Sequence, residues 1–551
     1  MDHRHQHWLI WQSRVLSAFK AGALKRNGRL IRRLDVQNHQ ILFALVSQDT
    51  LGGETVTGLR EFVVPGTSPS SIFSPTPVRF PAFSLPSQNM NKQEQQQNKE
   101  KDDAVRKALA TILRRNQNLR YVSINGNMLS DGGKVFEEVM DALSPGLEHL
   151  VIRDWWVMSD EEFDQPDPND NNNNTASTID NGDSARASLP LMPPSSLIPT
   201  PYLPCLRRLD IIHCSVPNRI LNELLKCCGN NLETLHIFKY TGLSISTLSS
   251  SIRDHCPTLV ILVVLHWYPN SDREIADLID ASRRGWKTLC IPVSHHSKSC
   301  FGPLATAALL KHTATLENLR LEGHEGLGSK AIQVLLSSSP LLRRFAGVAR
   351  DRFYGRSLQL DARDIGISPW VCLSLESLKV QICSVPRPEV ISRTNGRPLP
   401  KKRLSSTETA RIYNEDVQLK VYEQLGHLTR LRELVLGMDD VDLLEEVRIA
   451  EEANEGEYYD SGGEEDNGVQ TGYQYDCLDM SVSSGMDRMW RLKDLRSVIV
   501  KGMATQFWRE EHQSWVRAHW PMMLTTQGGG GNDRDRYKDP FWLQYGIPEY
   551  M

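Results

Sequence analysis

No stretch of this 551-residue chain approaches the ~18 consecutive apolar residues that a membrane span requires. Its ten cysteines include no C-x-x-C pair, which removes the usual zinc and thiol-redox arrangements. Neither sign of charge dominates: 63 bases stand against 67 acids, a net charge of −4, so bulk electrostatics point to neither nucleic acid nor a lipid surface. Catalytic signatures are missing as well. GGGGN (528–532) lacks the lysine and hydroxyl residue of a phosphate loop, and no hydrolase elbow, kinase set or H-E-x-x-H pattern occurs. His3, His5 and His7 alternate in a terminal stretch without a fourth ligand, and His295, His296 and Cys300 lack an acid to orient a base. The chain therefore reads as a non-enzyme without metal or cofactor.

A repeated phrase is what the chain does have. LETLHI (232–237) returns as LRYVSI (119–124), LEHLVI (147–152), LRRLDI (206–211), LENLRL (316–321), LESLKV (375–380) and LRELVL (431–436). The first apolar positions of this L-x-x-L-x-L pattern are Ile31, Leu59, Leu119, Leu147, Leu206, Leu232, Leu259, Trp286, Leu316, Leu342, Leu375, Leu431 and Leu495. From Leu206 to Leu342 the steps are 26, 27, 27, 30 and 26 residues. A period in the high twenties fits one strand plus one helix per unit.

The intervening letters supply the helices. SDGGKVFEEVMDALSPG (130–146) puts Val135, Phe136, Val139, Met140 and Leu143 on one stripe behind Ser130 as N-cap. Ile275, Leu278 and Ile279 repeat the design in 272–285, and Ile332, Leu335 and Leu336 in 328–340. No such unit buries its own apolar face, and stacking buries them together. The expected fold is an α/β leucine-rich-repeat solenoid, with a parallel sheet inside and helices outside.

The alternation resembles the ribonuclease-inhibitor-like leucine-rich repeats, a horseshoe, over roughly residues 26–525. Cys214 and Cys383 stand eight residues after the first leucine, as in the cysteine-containing repeats of F-box proteins. Asn127 holds that place in its own repeat, and His39, Trp155, Tyr240, Trp267 and His324 hold it elsewhere. SAFKAGALKRNGRLIRRL (17–34) resembles the segment after the F-box in fungal F-box and leucine-rich-repeat proteins, which makes residues 1–25 a helical remnant. The F-box itself is absent from view. The resemblance implies recognition of a protein substrate for a cullin-type ubiquitin ligase, through a Skp-type adaptor. A scaffold with no ligase link is the alternative. Either way a monomer is expected.

Four polar fillers interrupt the period, at 65–103, 158–204, 386–410 and 439–487, and a glycine-rich tail follows at 526–551. Their compositions are expected to remain disordered. PLPKKRL (398–404) has the composition of a nuclear-import signal, while 439–466 carries thirteen acids against one base. Cysteines at repeat positions and helix ends (Cys227, Cys228, Cys256) read as small hydrophobes in a reducing compartment, cytoplasm or nucleus.

Sites must come from geometry. The pattern leucines face the helices, so the residues between them face the hollow. The expected protein-binding set on that concave face is Arg153, Arg208, Ile212, His236, Phe238, Ile261, Val263, Leu265 and Arg320. Ile212, Phe238 and Leu265 fall in one row, and an exposed apolar row rimmed by charge marks a partner surface.

Overall fold

The computed structural model describes residues 30–36, 57–64, 92–129, 134–155, 203–293, 301–324, 326–348, 358–384, 407–436, 478, 482–500 and 510–522. The chain forms two compact units. One is Met1–Leu327 with Asp351–Leu358; the other is Gly328–Arg350 with Gln359–Met551. His3, His5, His7, His39, Ser130, Val135, His295, His296 and Cys300 lie outside the described residues or have undescribed side chains, as do PLPKKRL, the acidic block and the glycine-rich tail.

In the first unit the described strands are β1 (Arg33–Asp35), β2 (Glu61–Val63), β3 (Tyr121–Asn125), β4 (His149–Arg153), β5 (Arg208–Cys214), β6 (Thr234–Tyr240), β7 (Ile261–Leu265), β8 (Thr288–Cys290) and β9 (Asn318–Arg320). Each pairs in parallel with the next in chain order. Helices α1 (Lys92–Arg115), α2 (Lys134–Ala142), α3 (Asn218–Cys227), α4 (Ile245–His255), α5 (Asp272–Ile279) and α6 (Pro303–Leu310) fall between successive strands. Crossovers between adjacent parallel strands share one hand, which puts these helices on a single side of the sheet. The register stacks Leu209, Leu235, Leu262, Leu289 and Leu319 as direct neighbours, all buried. The expected solenoid of repeating strand and helix is thus what forms.

Neighbouring repeats also cap one another. Ser271 accepts from the Glu274 N–H (3.2 Å) at the start of α5. Asp272 then reaches the next repeat, where its carboxylate accepts from the N–H groups of Gly302 (2.8 Å), Leu304 (2.9 Å) and Ala305 (2.9 Å) at the start of α6. One side chain satisfies three of the donors that a helix start leaves open.

The second unit holds α7 (Ser329–Ser338), β10 (Arg344–Ala346), β11 (Gln359–Asp361), α8 (Ala362–Ile365), β12 (Ser377–Cys383), α9 (Thr407–Gly426), β13 (Glu433–Leu436), β14 (Ser497–Val500) and α10 (Glu510–His519). Strands β10, β12, β13 and β14 pair in parallel, and β11 pairs with the far end of β12. All thirteen pattern positions are followed two residues later by a strand. Strand β11 is unforeseen, because QLD carries no L-x-x-L-x-L. It forms where Leu360, flanked by buried Leu358, is itself buried next to Ile382.

The filler expected over 65–103 needs one correction: Lys92–Arg115 is a single helix. Its polar first half consists mainly of good helix formers. It runs into Val105, Ala108, Leu109, Ile112 and Leu113, a buried stripe at helical spacing that holds the element in place. The third filler is likewise cut short, since α9 begins at Thr407. Leu203, at the end of the second filler, is buried.

Candidate binding face

The side of the first unit's sheet away from its helices carries three rows of side chains, at two, four and six residues after each first leucine. The row where strands begin reads Tyr121, His149, Arg208, Thr234, Ile261, Thr288 and Asn318. The middle row reads Ser123, Val151, Asp210, His236, Val263, Cys290 and Arg320. The row where strands end brings together Asn125, Arg153, Ile212, Phe238 and Leu265. The nine expected residues therefore share one face. Ile212, Phe238 and Leu265 stand side by side, with Arg153 next to Ile212.

Their exposure differs from the expectation. Ile212 is 8 % exposed, Phe238 6 %, Val263 1 % and Leu265 1 %, so the apolar row is buried. Bulky side chains on strands about 4.8 Å apart shield one another. Histidines close in as well: the Phe238 ring lies 5.7 Å from that of His213 and 5.4 Å from that of His266. Accessible surface survives at the strand starts, where Tyr121, His149, Arg208, Thr234 and Ile261 are each half-buried. Further along, Thr288 and Asn318 are buried and bonded to each other at 3.1 Å, and Arg320 is buried, donating to Glu322 at 2.5 Å.

Asp210 is the hub of this face. It accepts from His149 Nε2 at 2.8 Å and from Arg208 Nε at 3.0 Å, and lies 3.1 Å from His236 Nδ1. Burial alone would raise its pKa. Hydrogen bonds from His149 and His236, with the charges of His236 and Arg208, outweigh that and hold it well below the usual carboxylate range. Burial lowers the pKa of His236 against the pull of Asp210. Three strands are thereby tied through one carboxylate. The hub could have been found from sequence, because an acid at one repeat position is flanked on both neighbouring strands by bases.

Five of these strands also turn sharply inward. Seven residues after the first leucine, Asp154, His213, Lys239, His266 and Gly323 all have positive φ, between 50° and 84°. The next residue then points into the core, where Trp155, Cys214, Tyr240, Trp267 and His324 are buried. Four of these donate to backbone carbonyls: Cys214 Sγ to Ile212 O (3.3 Å), Tyr240 Oη to Val216 O (2.7 Å), Trp267 Nε1 to Pro292 O (3.0 Å) and His324 Nε2 to Ile291 O (2.6 Å). Trp155 instead stacks on Phe136 at 5.5 Å. Cys227, Cys228 and Cys256 are free and buried, and burial raises all three thiols, that of Cys227 to about 11. They pack as hydrophobes.

Among the described residues no group of three or more His, Cys, Asp or Glu is placed to hold a metal ion. No described helix is long and apolar enough to cross a membrane. No family model matches the sequence, and no curated protein matches it. A solved structure of the Rad7 and Elc1 complex in yeast is similar over 62 % of this chain and 70 % of that one, at 15 % identity and a TM-score of 0.32. A likeness that loose leaves function to be read from the face itself.

Proposed function

We propose that the chain is a non-enzymatic protein-recognition module that takes its partner on the helix-free face across β3–β7. The observation that carries this is the accessible row: neighbouring parallel strands present Tyr121, His149, Arg208, Thr234 and Ile261 at equivalent positions. Aromatic, imidazole, guanidinium, hydroxyl and aliphatic groups thus stand on a rigid support, stiffened by the Asp210 hub beneath. Such a row suits an extended protein surface better than a small molecule, which favours an enclosing pocket.

In the finer reading the module is a monomeric substrate receptor of a cullin-type ubiquitin ligase, acting in the cytoplasm or nucleus through a Skp-type adaptor. The resemblance of residues 17–34 to the segment after an F-box supports it. The competing reading is a repeat scaffold with no ligase link. Co-elution of the purified chain with a Skp-type adaptor and a cullin separates the two. A stable complex supports the receptor; none, together with a partner lost on Ile261→Arg, supports the scaffold.

A further inference from the structure

The acids around β2–β6 on this face are already engaged, whereas Arg153 is not. Glu61 bonds Arg33 at 3.1 Å. Asp210 is held by His149, Arg208 and His236. Asp154 accepts from Asn125 Nδ2 at 3.3 Å and lies 3.6 Å from His213 Nδ1. Arg153, between Asn125 and Ile212 in the register, has no carboxylate partner among the described residues. Its Nε is shielded from solvent and has no hydrogen-bond partner, although the side chain as a whole is only half-buried. In the same corner the Nε2 of His213 is likewise shielded and without a partner.

A buried polar atom without a partner loses its hydration and receives nothing in return, and the loss is greatest for a charged group. Two such atoms in one corner mark a place where hydrogen bonding is incomplete. We infer that this corner is completed by the carboxylate of an aspartate or glutamate on the protein partner, which docks on the Arg153 guanidinium. The inference rests on the recognition reading above and adds the chemistry of its anchor. Charge selects the anchor: the Arg153 guanidinium is unpaired, while the carboxylates of the same and the adjacent strand, Asp154 and Asp210, are engaged elsewhere. A single negative charge balances that one guanidinium, whereas a doubly charged phosphate would add an uncompensated charge on strands that already carry Asp154 and Asp210. The planar fork of arginine matches a carboxylate through two parallel bonds.

The test selects random peptides displayed on phage against the full chain. Expected binders carry a recurrent Asp or Glu. Arg153→Gln should weaken them by about tenfold or more, as loss of one partner from a desolvated charge pair does, and Arg153→Lys by less. Replacing the peptide acid by its amide should weaken binding to the native chain but not to Arg153→Gln. Inorganic phosphate should not compete. Binders that hold Arg153→Gln as tightly as the native chain overturn the inference, as does competition by phosphate that depends on Arg153. Ile261→Arg on the accessible row tells the failures apart. Binders lost to Ile261→Arg yet indifferent to Arg153→Gln leave the face as a protein site with a different anchor. Binders indifferent to both, or no binders at all, overturn the recognition reading too.

Discussion

Strands β4–β7 show two faces built by different rules. Toward the helices every repeat repeats itself, with Leu150, Leu209, Leu235 and Leu262 in register and buried. Away from them adjacent strands differ: Val151, Asp210, His236 and Val263 fill the middle row. Uniformity serves stacking, because any repeat must fit against any neighbour. Variety on the other side costs the stack nothing as long as polar groups find partners, so that side is free to carry recognition. Burial does not separate the two. Both faces are largely closed along the ends of the strands.

The sharpest way to break this comparison is to place the same charge on each face of β7. Leu262→Asp and Leu265→Asp both bury a carboxylate without a partner, at a cost of several kcal/mol. Both should abolish the cooperative thermal transition followed by circular dichroism. If Leu265→Asp melts like the native chain, the apolar row is open after all. Next in size is Asp210→Ala, which leaves Arg208 and His236 facing each other without their acid. Urea unfolding should show a loss of roughly 3 kcal/mol, the scale for breaking a buried ion pair.

Acid sharpens the contrast further. Burial holds His324 and His266 at about 4, below the ordinary value for histidine. As pH falls below about 6.5 the unfolded chain takes up these protons before the folded one does. Stability is therefore complete above that pH and lost as pH drops toward 4. For His324 alone the loss between pH 7 and pH 5 is on the order of 2 kcal/mol. His324→Asn retains a donor for Ile291 O without the titration, so its melting temperature should fall less over that interval. An identical pH slope in the variant would remove His324 as a source of the effect. The smallest effect belongs to a corner. Lys239 is exposed with φ near 50°, and Lys239→Gly should raise the denaturation midpoint by the equivalent of about 1 kcal/mol or less.

Period and register were legible because a strand's side chains alternate strictly. Once the leucines are assigned to one face, Ile212, Phe238 and Leu265 have nowhere to fall but in one row. The depth of that row was not legible, since it depends on His213 and His266 leaning over Phe238 from left-handed corners. The partnerless Arg153 was equally hidden. An arginine in a column of letters says nothing about which acids are occupied elsewhere, and only the hydrogen bonds of Asp154 and Asp210 reveal it. Strand β11 escaped because no L-x-x-L-x-L phrase runs through Gln359–Asp361, and three residues alone are too few to show a period.

After four of the five corners the inward residue donates a proton to a backbone carbonyl, and a thiol, a phenol, an indole and an imidazole all serve. That tolerance uncouples shape from spelling. A requirement met by a chemical capability, rather than by one side chain, lets repeats drift through unlike letters while these four corners keep their bond. Lineages under such a rule can diverge until their sequences no longer register as kin while the backbone path persists. Kinship among such chains would then be easier to trace by asking which atoms donate at each corner than by aligning letters.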